Sequence, residues 1–326
     1  MEGSEVGFLK VLQWSEEQCR EYLERQRWPD GAHCPKCGAA EPWKITRKTA
    51  SKNAVRSLYR CRACKRQFTA TVGTIFEDSK IPLNKWFAGI FLMCSSKKGI
   101  SAHQLHRELE ITYKSAWFMC HRVREAMGES YDAPLSGTVE ADETYIGAKR
   151  RRGHKVMHER ISDEIEMGLR PRAHHQFSHK EVVFGILERG GGIRTFHVTD
   201  AIARTLNPIL KGHMDKDARL ITDGHPAYRM IKNHLRHDVI DHEIEYVRGD
   251  VHTQGIEGYW SILKRGLYGV FQHVDARYLS EYLREFEFRF NRRGLSDAER
   301  FASLMGQTRG RVQWYCRTPQ PQNPFA

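Results

Sequence analysis

Apolar residues recur at helical spacing through residues 252–266, where Ile256, Tyr259, Trp260 and Leu263 mark one oily face of a predicted helix. Glu257 and Lys264 stand seven residues apart on it, two turns on, and project from one side. Alone, a helix with one acid and one base is an ordinary surface element. Its company gives it weight. Two apolar runs upstream, Val139-Glu140-Ala141-Asp142 and Leu220-Ile221-Thr222-Asp223, each end in an aspartate. An unpaired carboxylate among apolar neighbours is costly. Two such aspartates and a helix-borne glutamate form an oxygen donor set that suits Mg²⁺ or Mn²⁺.

The periodicity predicts the remaining elements. Ser15-Glu16-Glu17-Gln18 reads as a capping box that opens a helix running to about Arg27, and Pro29-Asp30-Gly31 stops it. Residues 43–60 read as hairpin strands. Residues 80–128 read as three helices. The first carries Trp86, Phe87, Ile90, Phe91 and Met93 and is ended by Gly99. Ser101 caps the second, with Leu105 and Leu109 inward, and the third spans 113–127 with Ala116, Met119, Cys120 and Val123 on its apolar face. The short turn at 110–112 makes the last two resemble a helix-turn-helix, with Lys114, Arg122 and Arg124 facing outward to meet phosphates or bases.

After Pro134 the pattern changes. A strand is predicted at 138–147, then a hairpin of 182–187 and 193–198 around Gly190-Gly191-Gly192. A helix at 202–214, the strand 220–223, a helix through Ala227 and Tyr228, and a short strand at 244–247 follow. The Glu257 helix and a long helix near 276–293 complete the set. Residues 149–180, with Lys149-Arg150-Arg151-Arg152 and scattered histidines, lack periodicity and read as a basic insertion. The order gives an α/β fold, a mixed sheet with flanking helices, whose ligand sites are expected at strand carboxyl ends.

Composition narrows the function. The chain has 326 residues, 40% hydrophobic and 28% charged, as expected of a soluble globular protein with a sizeable core. No apolar run approaches the roughly 20 residues that span a bilayer, and the N-terminus lacks a signal-peptide pattern. A cytoplasmic protein with no membrane partner is expected. The net charge of +12 favours a polyanionic partner, nucleic acid first. Eight cysteines are unevenly placed. Cys34 and Cys37 form one CxxC pair, and Cys61 and Cys64 another. Four thiolates in two knuckles give one Zn²⁺ a closed tetrahedral site, structural because no position stays open. Basic residues between Lys44 and Arg66 suggest that this ribbon meets phosphates. Cys19, Cys94, Cys120 and Cys316 read as small buried apolar residues. The expected boundaries are 1–75 for the first helix and ribbon, 76–130 for the helical segment, 131–300 for the sheet domain and 301–326 for a tail.

These residues carry a resemblance. Arg27-Trp28-Pro29-Asp30-Gly31 before the first CxxC, 139–147, Thr222-Asp223-Gly224-His225, Ile256-Glu257-Gly258 through Leu263-Lys264-Arg265-Gly266, and Glu287-Phe288-Arg289-Phe290-Asn291 together resemble a DDE transposase of bacterial insertion sequences. The similar branch is the Merlin-related one, with an N-terminal zinc ribbon. The resemblance implies an RNase H-like catalytic domain with Asp142, Asp223 and Glu257 as its acids, holding two Mg²⁺ or Mn²⁺ ions. Gln254, one turn earlier, is the alternative third ligand. Lys264 and Arg265 are implied near a DNA phosphate. The implied activity is metal-dependent cleavage and strand transfer on double-stranded DNA, at transposon terminal inverted repeats and a target, by a homodimer or larger synaptic assembly associated with the nucleoid. Two other readings stay open: a metal-dependent nuclease without strand transfer, and a domesticated zinc-ribbon DNA-binding protein. The latter predicts loss of an acid, and all three are present.

Overall fold

The computed structural model describes residues 6–48, 55–147, 180–228, 236–241, 244–245 and 247–308, with the backbone alone at 46–48 and 55–57. Cys316, nearly all of the basic insertion read at 149–180, and most of the expected tail lie outside the described residues. The chain forms two compact units, one of residues up to Gly128 with the stretch that begins at Arg292, the other of Glu129–Asn291. Among the described residues no helix is long and apolar enough to cross a membrane.

In the first unit α1 (Phe8–Gln13) precedes α2 (Glu16–Arg27). The expected capping box opens α2: Ser15 Oγ accepts from Gln18 N at 3.2 Å and Gln18 Oε1 accepts from Ser15 N at 2.8 Å. A ribbon follows, with β1 (Trp43–Lys48) antiparallel to β2 (Val55–Arg60) and β2 to the short β3 (Gln67–Phe68). Helices α3 (Leu83–Ser95), α4 (Ala102–Leu109) and α5 (Tyr113–Ala126) complete the expected trio. Ser101 caps α4, Glu110 ends it in the left-handed region at φ 50°, and Thr112 caps α5. The apolar centre is Phe87, fully buried, with the rings of Trp14, Tyr22, Phe76 and Phe301 all within 6.2 Å. Phe301 comes from the helix Asp297–Gly306. The domain end expected at residue 300 falls inside this helix. Its aromatic anchor packs within this unit.

One expectation for α5 needs correction. Lys114 is exposed, but Arg124 is only 1% exposed, and Arg122 Nη1 donates to the carbonyls of Ile75 and Glu77 at 2.8 Å each. The helix buries His121 and Arg124 beside its apolar stripe, so more than one face is covered. A helical wheel assigns such arginines to solvent because it cannot see a second packed face.

The second unit is built on a five-stranded sheet: β4 (Thr138–Ile146), β5 (Glu181–Glu188), β6 (Ile193–Val198), β7 (Arg219–Asp223) and β8 (Arg236–Ile240), in spatial order β6-β5-β4-β7-β8. The first three are antiparallel neighbours, while β7 runs parallel to both β4 and β8. This is the RNase H-like order. Helix α6 (Ala203–His213) packs Leu206, Ile209 and Leu210 with Val139, Ala141 and Phe184 on one face. Helices α7 (Gln254–Gly269) and α8 (Leu279–Asn291) pack Ile256, Tyr259, Leu263, Leu283 and Phe286 with Val183, Leu187 and Ile193 on the other.

The strand expected at 244–247 does not form. Ile244 is 81% exposed in a turn, Tyr246 lies outside the described residues, and the fifth strand is Arg236–Ile240. That edge strand buries only Ile240, so its sequence carries no alternation to detect. The helix expected through Ala227 and Tyr228 is a single turn at 226–228 as far as it is described.

The Glu287-to-Asn291 motif fastens α8 to β6. Glu287 Oε2 accepts from Thr195 N at 3.1 Å and Thr195 Oγ1 at 2.9 Å, and Tyr131 donates to its other oxygen. One turn on, Asn291 accepts from Ile193 N at 2.7 Å and donates to Ile193 O at 3.0 Å. Asn291→Ala should leave part-buried backbone groups unpaired and cost about 1–3 kcal/mol. Thermal unfolding should shift down by several degrees; an unchanged transition would contradict a fastening role.

Candidate functional site

Two places gather chemistry. The first is the ribbon. The ligand sulfurs of Cys34, Cys37, Cys61 and Cys64 all lie within 4.8 Å of one another. Cys34 Sγ is 3.7 Å from Cys64 Sγ, and Cys37 Sγ is 3.5 Å from Cys61 Sγ. A tetrahedron with Zn–S arms of about 2.3 Å has edges of about 3.8 Å, so the spacing fits. Gly38, at φ +73°, turns the first knuckle. The backbone N–H of Cys64, donated to Cys61 Sγ at 3.4 Å, is the largest influence holding the Cys61 thiol down to about 6. Beneath the sulfurs Trp28, Tyr59 and Phe68 pack ring to ring, with centroids 5.5 to 6.0 Å apart. Four cysteines leave no open position, so the ion they suit is structural Zn²⁺. Outside, half-exposed Trp43 has Arg62 and Lys65 over its ring at 5.8 and 5.3 Å. Metal analysis of the purified protein should find about one zinc per chain. Cys61→Ser should release it and unfold the ribbon; full zinc occupancy in that variant would contradict the assignment.

The second place is the carboxyl end of β7 beside the middle of β4. Ala141 stands opposite Thr222 in the parallel pair, so Asp142 and Asp223 occupy the next positions and share a face. Asp142 is pushed up to about 7, by burial first, then by the charges of Glu143 and Asp223. Trp260 Nε1, from α7, donates to Asp142 Oδ2 at 2.9 Å. The indole reaches across because the residue paired with Asp142 on β5 is Gly185, where a Cβ would sit 2.7 Å from the ring. Lys264, one turn beyond Trp260, is half-buried. Burial lowers its pKa and the charge of Asp142 opposes that shift.

The other expected residues are placed as follows. Glu257 is exposed in the first turn of α7, and its Oε1 accepts from Thr253 Oγ1 at 2.8 Å. Among the described residues the four cysteines are the one group of three or more metal-capable side chains whose ligand atoms converge within 4.8 Å. The β4–β7 register brings Asp142 and Asp223 together, while Glu257 does not converge with them into one ligand-sized cluster. Gln254 is exposed at the start of α7. Arg265 is exposed, and its guanidinium donates to Ser261 O and Oγ at 3.0 Å.

Sequence reasoning missed two features. Glu140 is 1% exposed and accepts from Arg189 Nε at 2.7 Å and Ile256 N at 2.9 Å. The signal for it was the period of two that puts Glu140 on the face of Asp142. Glu143 faces the opposite side, as the same period predicts, but it is not solvated there. It accepts from Tyr228 Oη at 2.6 Å, lies 3.6 Å from His225 Nδ1, and is raised to about 7 by burial against the opposing hydrogen bond of Tyr228.

Asp142, Glu143 and Glu287 are all raised to about 7 from ordinary values of 3.8 or 4.5, burial being the largest cause each time. Folding therefore takes up protons at these sites. Their stabilising contribution is complete below about pH 4 and is lost as pH rises through about 7. In Mg²⁺-free buffer the unfolding temperature should fall between about pH 5 and about pH 8, and Asp142→Asn should flatten the fall. A temperature that rises across that interval would contradict the assignment.

Residues 134–291 match the ISXO2-like transposase domain, and residues 14–67 match a transposase zinc-ribbon domain. The chain is 31% identical over 287 residues to an uncharacterized protein in the transposable element ISH50 of Halobacterium salinarum, covering 84% of this chain and 90% of that relative.

Proposed function

Because the chain belongs to the ISXO2-like transposase family, we propose that it binds the ends of a transposable element and cuts and joins DNA there, with Asp142, Asp223 and Glu257 holding catalytic Mg²⁺ or Mn²⁺. The observation that carries this reading is the pair of aspartates side by side on parallel strands, with Asp142 raised to about 7 by burial and like charge. A cation between them would remove that repulsion, and carboxylate oxygens are the donors a hard cation prefers. Held by these carboxylates, divalent ions would supply the charge that activates an attacking hydroxyl and stabilises a leaving oxygen.

The chain's own residues do the rest. Trp260 fixes the Asp142 carboxylate through its indole N–H. Thr253 orients Glu257, the third ligand on this reading. Lys264 projects from the same side of α7 and meets a DNA phosphate beside Asp142, with Arg265 next to it. Lys114 and the Trp43-Arg62-Lys65 surface of the ribbon bind the transposon end. Cutting and joining two ends calls for a homodimer or a larger synaptic assembly.

Asp142→Ala, Asp223→Ala and Glu257→Ala should each lower Mg²⁺-dependent cleavage and joining by about a thousandfold or more, since each loss removes several kcal/mol of charge stabilisation. Binding of end DNA should persist. Cleavage that survives in Glu257→Ala but vanishes in Gln254→Ala would move the third ligand to Gln254. Cut ends with no joined product from the native protein would replace the transposase reading by a nuclease.

A further inference from the structure

We propose that Glu140 and Arg189 form a positioning clamp that sets the register of α7 against β4, and so delivers Glu257, Trp260 and Lys264 to Asp142. Its functional consequence rests on Asp142 being a metal ligand, as proposed above.

Helix α7 has no side-chain cap of its own. Its N-cap residue, Thr253, makes no capping bond, and the Thr253 hydroxyl is donated to Glu257. The first-turn amides of a helix lack intrahelical acceptors. Glu140, reaching from β4, accepts the Ile256 N–H at 2.9 Å and so caps the helix from another element. Gly255 makes room, for a Cβ there would lie 2.8 Å from Glu140 Oε2. Arg189 holds the other side of the carboxylate at 2.7 Å. Its Nη1 donates to Asp250 O and its Nη2 to His252 O, both at 2.7 Å, so the same guanidinium grips the chain entering α7.

The spacing explains why this fixes register. Glu140 meets Ile256, and two residues on along β4 Asp142 meets Trp260, four residues on along α7. Two strand residues advance about 6.6 Å, and four helical residues advance about 6.0 Å. The strand and the helix are thus joined at two points with nearly matched spacing. Loss of the first point frees the start of α7 from β4, while the Asp142–Trp260 bond, the Tyr268–Gly147 bonds and the apolar packing still hold the rest of the helix. Glu140 acts through α7 and does not itself touch a reacting atom; it is a positioning residue.

The test uses the full zinc-loaded chain and compares Glu140→Ala, Glu140→Gln and Gly255→Ala, with Asp142→Asn as reference. Amide hydrogen exchange across 253–260 reads the clamp directly. Mn²⁺ titration calorimetry reads its consequence. Glu140→Ala and Gly255→Ala should speed exchange at Ile256 at least about tenfold and weaken Mn²⁺ binding by about ten- to a hundredfold, the usual cost of losing an outer partner. End-DNA binding should be unchanged. Glu140→Gln keeps an acceptor for Ile256 N–H and should recover much of the loss. Native exchange and native Mn²⁺ affinity in folded Glu140→Ala, or in Gly255→Ala should that variant alone fold, would overturn the clamp. Native Mn²⁺ affinity in Asp142→Asn would instead overturn the metal site, and the exchange data would still decide the clamp.

Discussion

The repulsion between two carboxylates held side by side is the constraint on which the sheet unit depends. Asp142 and Asp223 share a face because β4 and β7 run parallel in a fixed register, and partial burial thins the water that would screen Asp142. A parallel pair needs a crossover, and α6 supplies it on the opposite face. That leaves the acidic face to α7 and α8. Gly185 then decides how α7 sits, since any side chain there would displace the Trp260 ring from above Asp142.

The chain treats its buried acids in two ways. Glu140 has the Arg189 guanidinium and a backbone amide. Glu287 has Tyr131 and both polar groups of Thr195. Glu285 is paired with Arg289 one turn along the same helix. Each of these acids fastens one element to another or to itself. Asp142 receives the neutral indole of Trp260 while burial, and then two other acids, raise its pKa. An arrangement that assembles like charge and leaves it under-compensated is poor architecture. It is a good receptor for a cation, and that contrast separates the site from the scaffold more sharply than burial does.

Much of this was legible in the residue pattern, and the rest was hidden for definable reasons. The cysteine pairs announced the ribbon because thiolate spacing is set by the ion they suit. The β5–β6 hairpin and the strand carrying Asp142 declared themselves through apolar runs and a triple glycine. Edge strand β8 did not, because Arg236-His237-Asp238-Val239-Ile240 buries a single residue. Arg122 and Arg124 were read as outward because a helix buried on two sides looks amphipathic in sequence. For Glu140 the period of two showed its face but not its partners: Arg189 and Ile256 are 49 and 116 residues away, and no local periodicity reports a contact of that range. The acids and thiols whose local motifs mark them could be read; the contacts that Glu140 makes across elements could not.

The most direct measurement is anomalous diffraction from a crystal of the protein soaked in Mn²⁺. The account predicts a peak within about 2.3 Å of carboxylate oxygens from both Asp142 and Asp223, on the face that carries Trp260. Mn²⁺ bound elsewhere, with neither of these two carboxylates coordinating it, would contradict it.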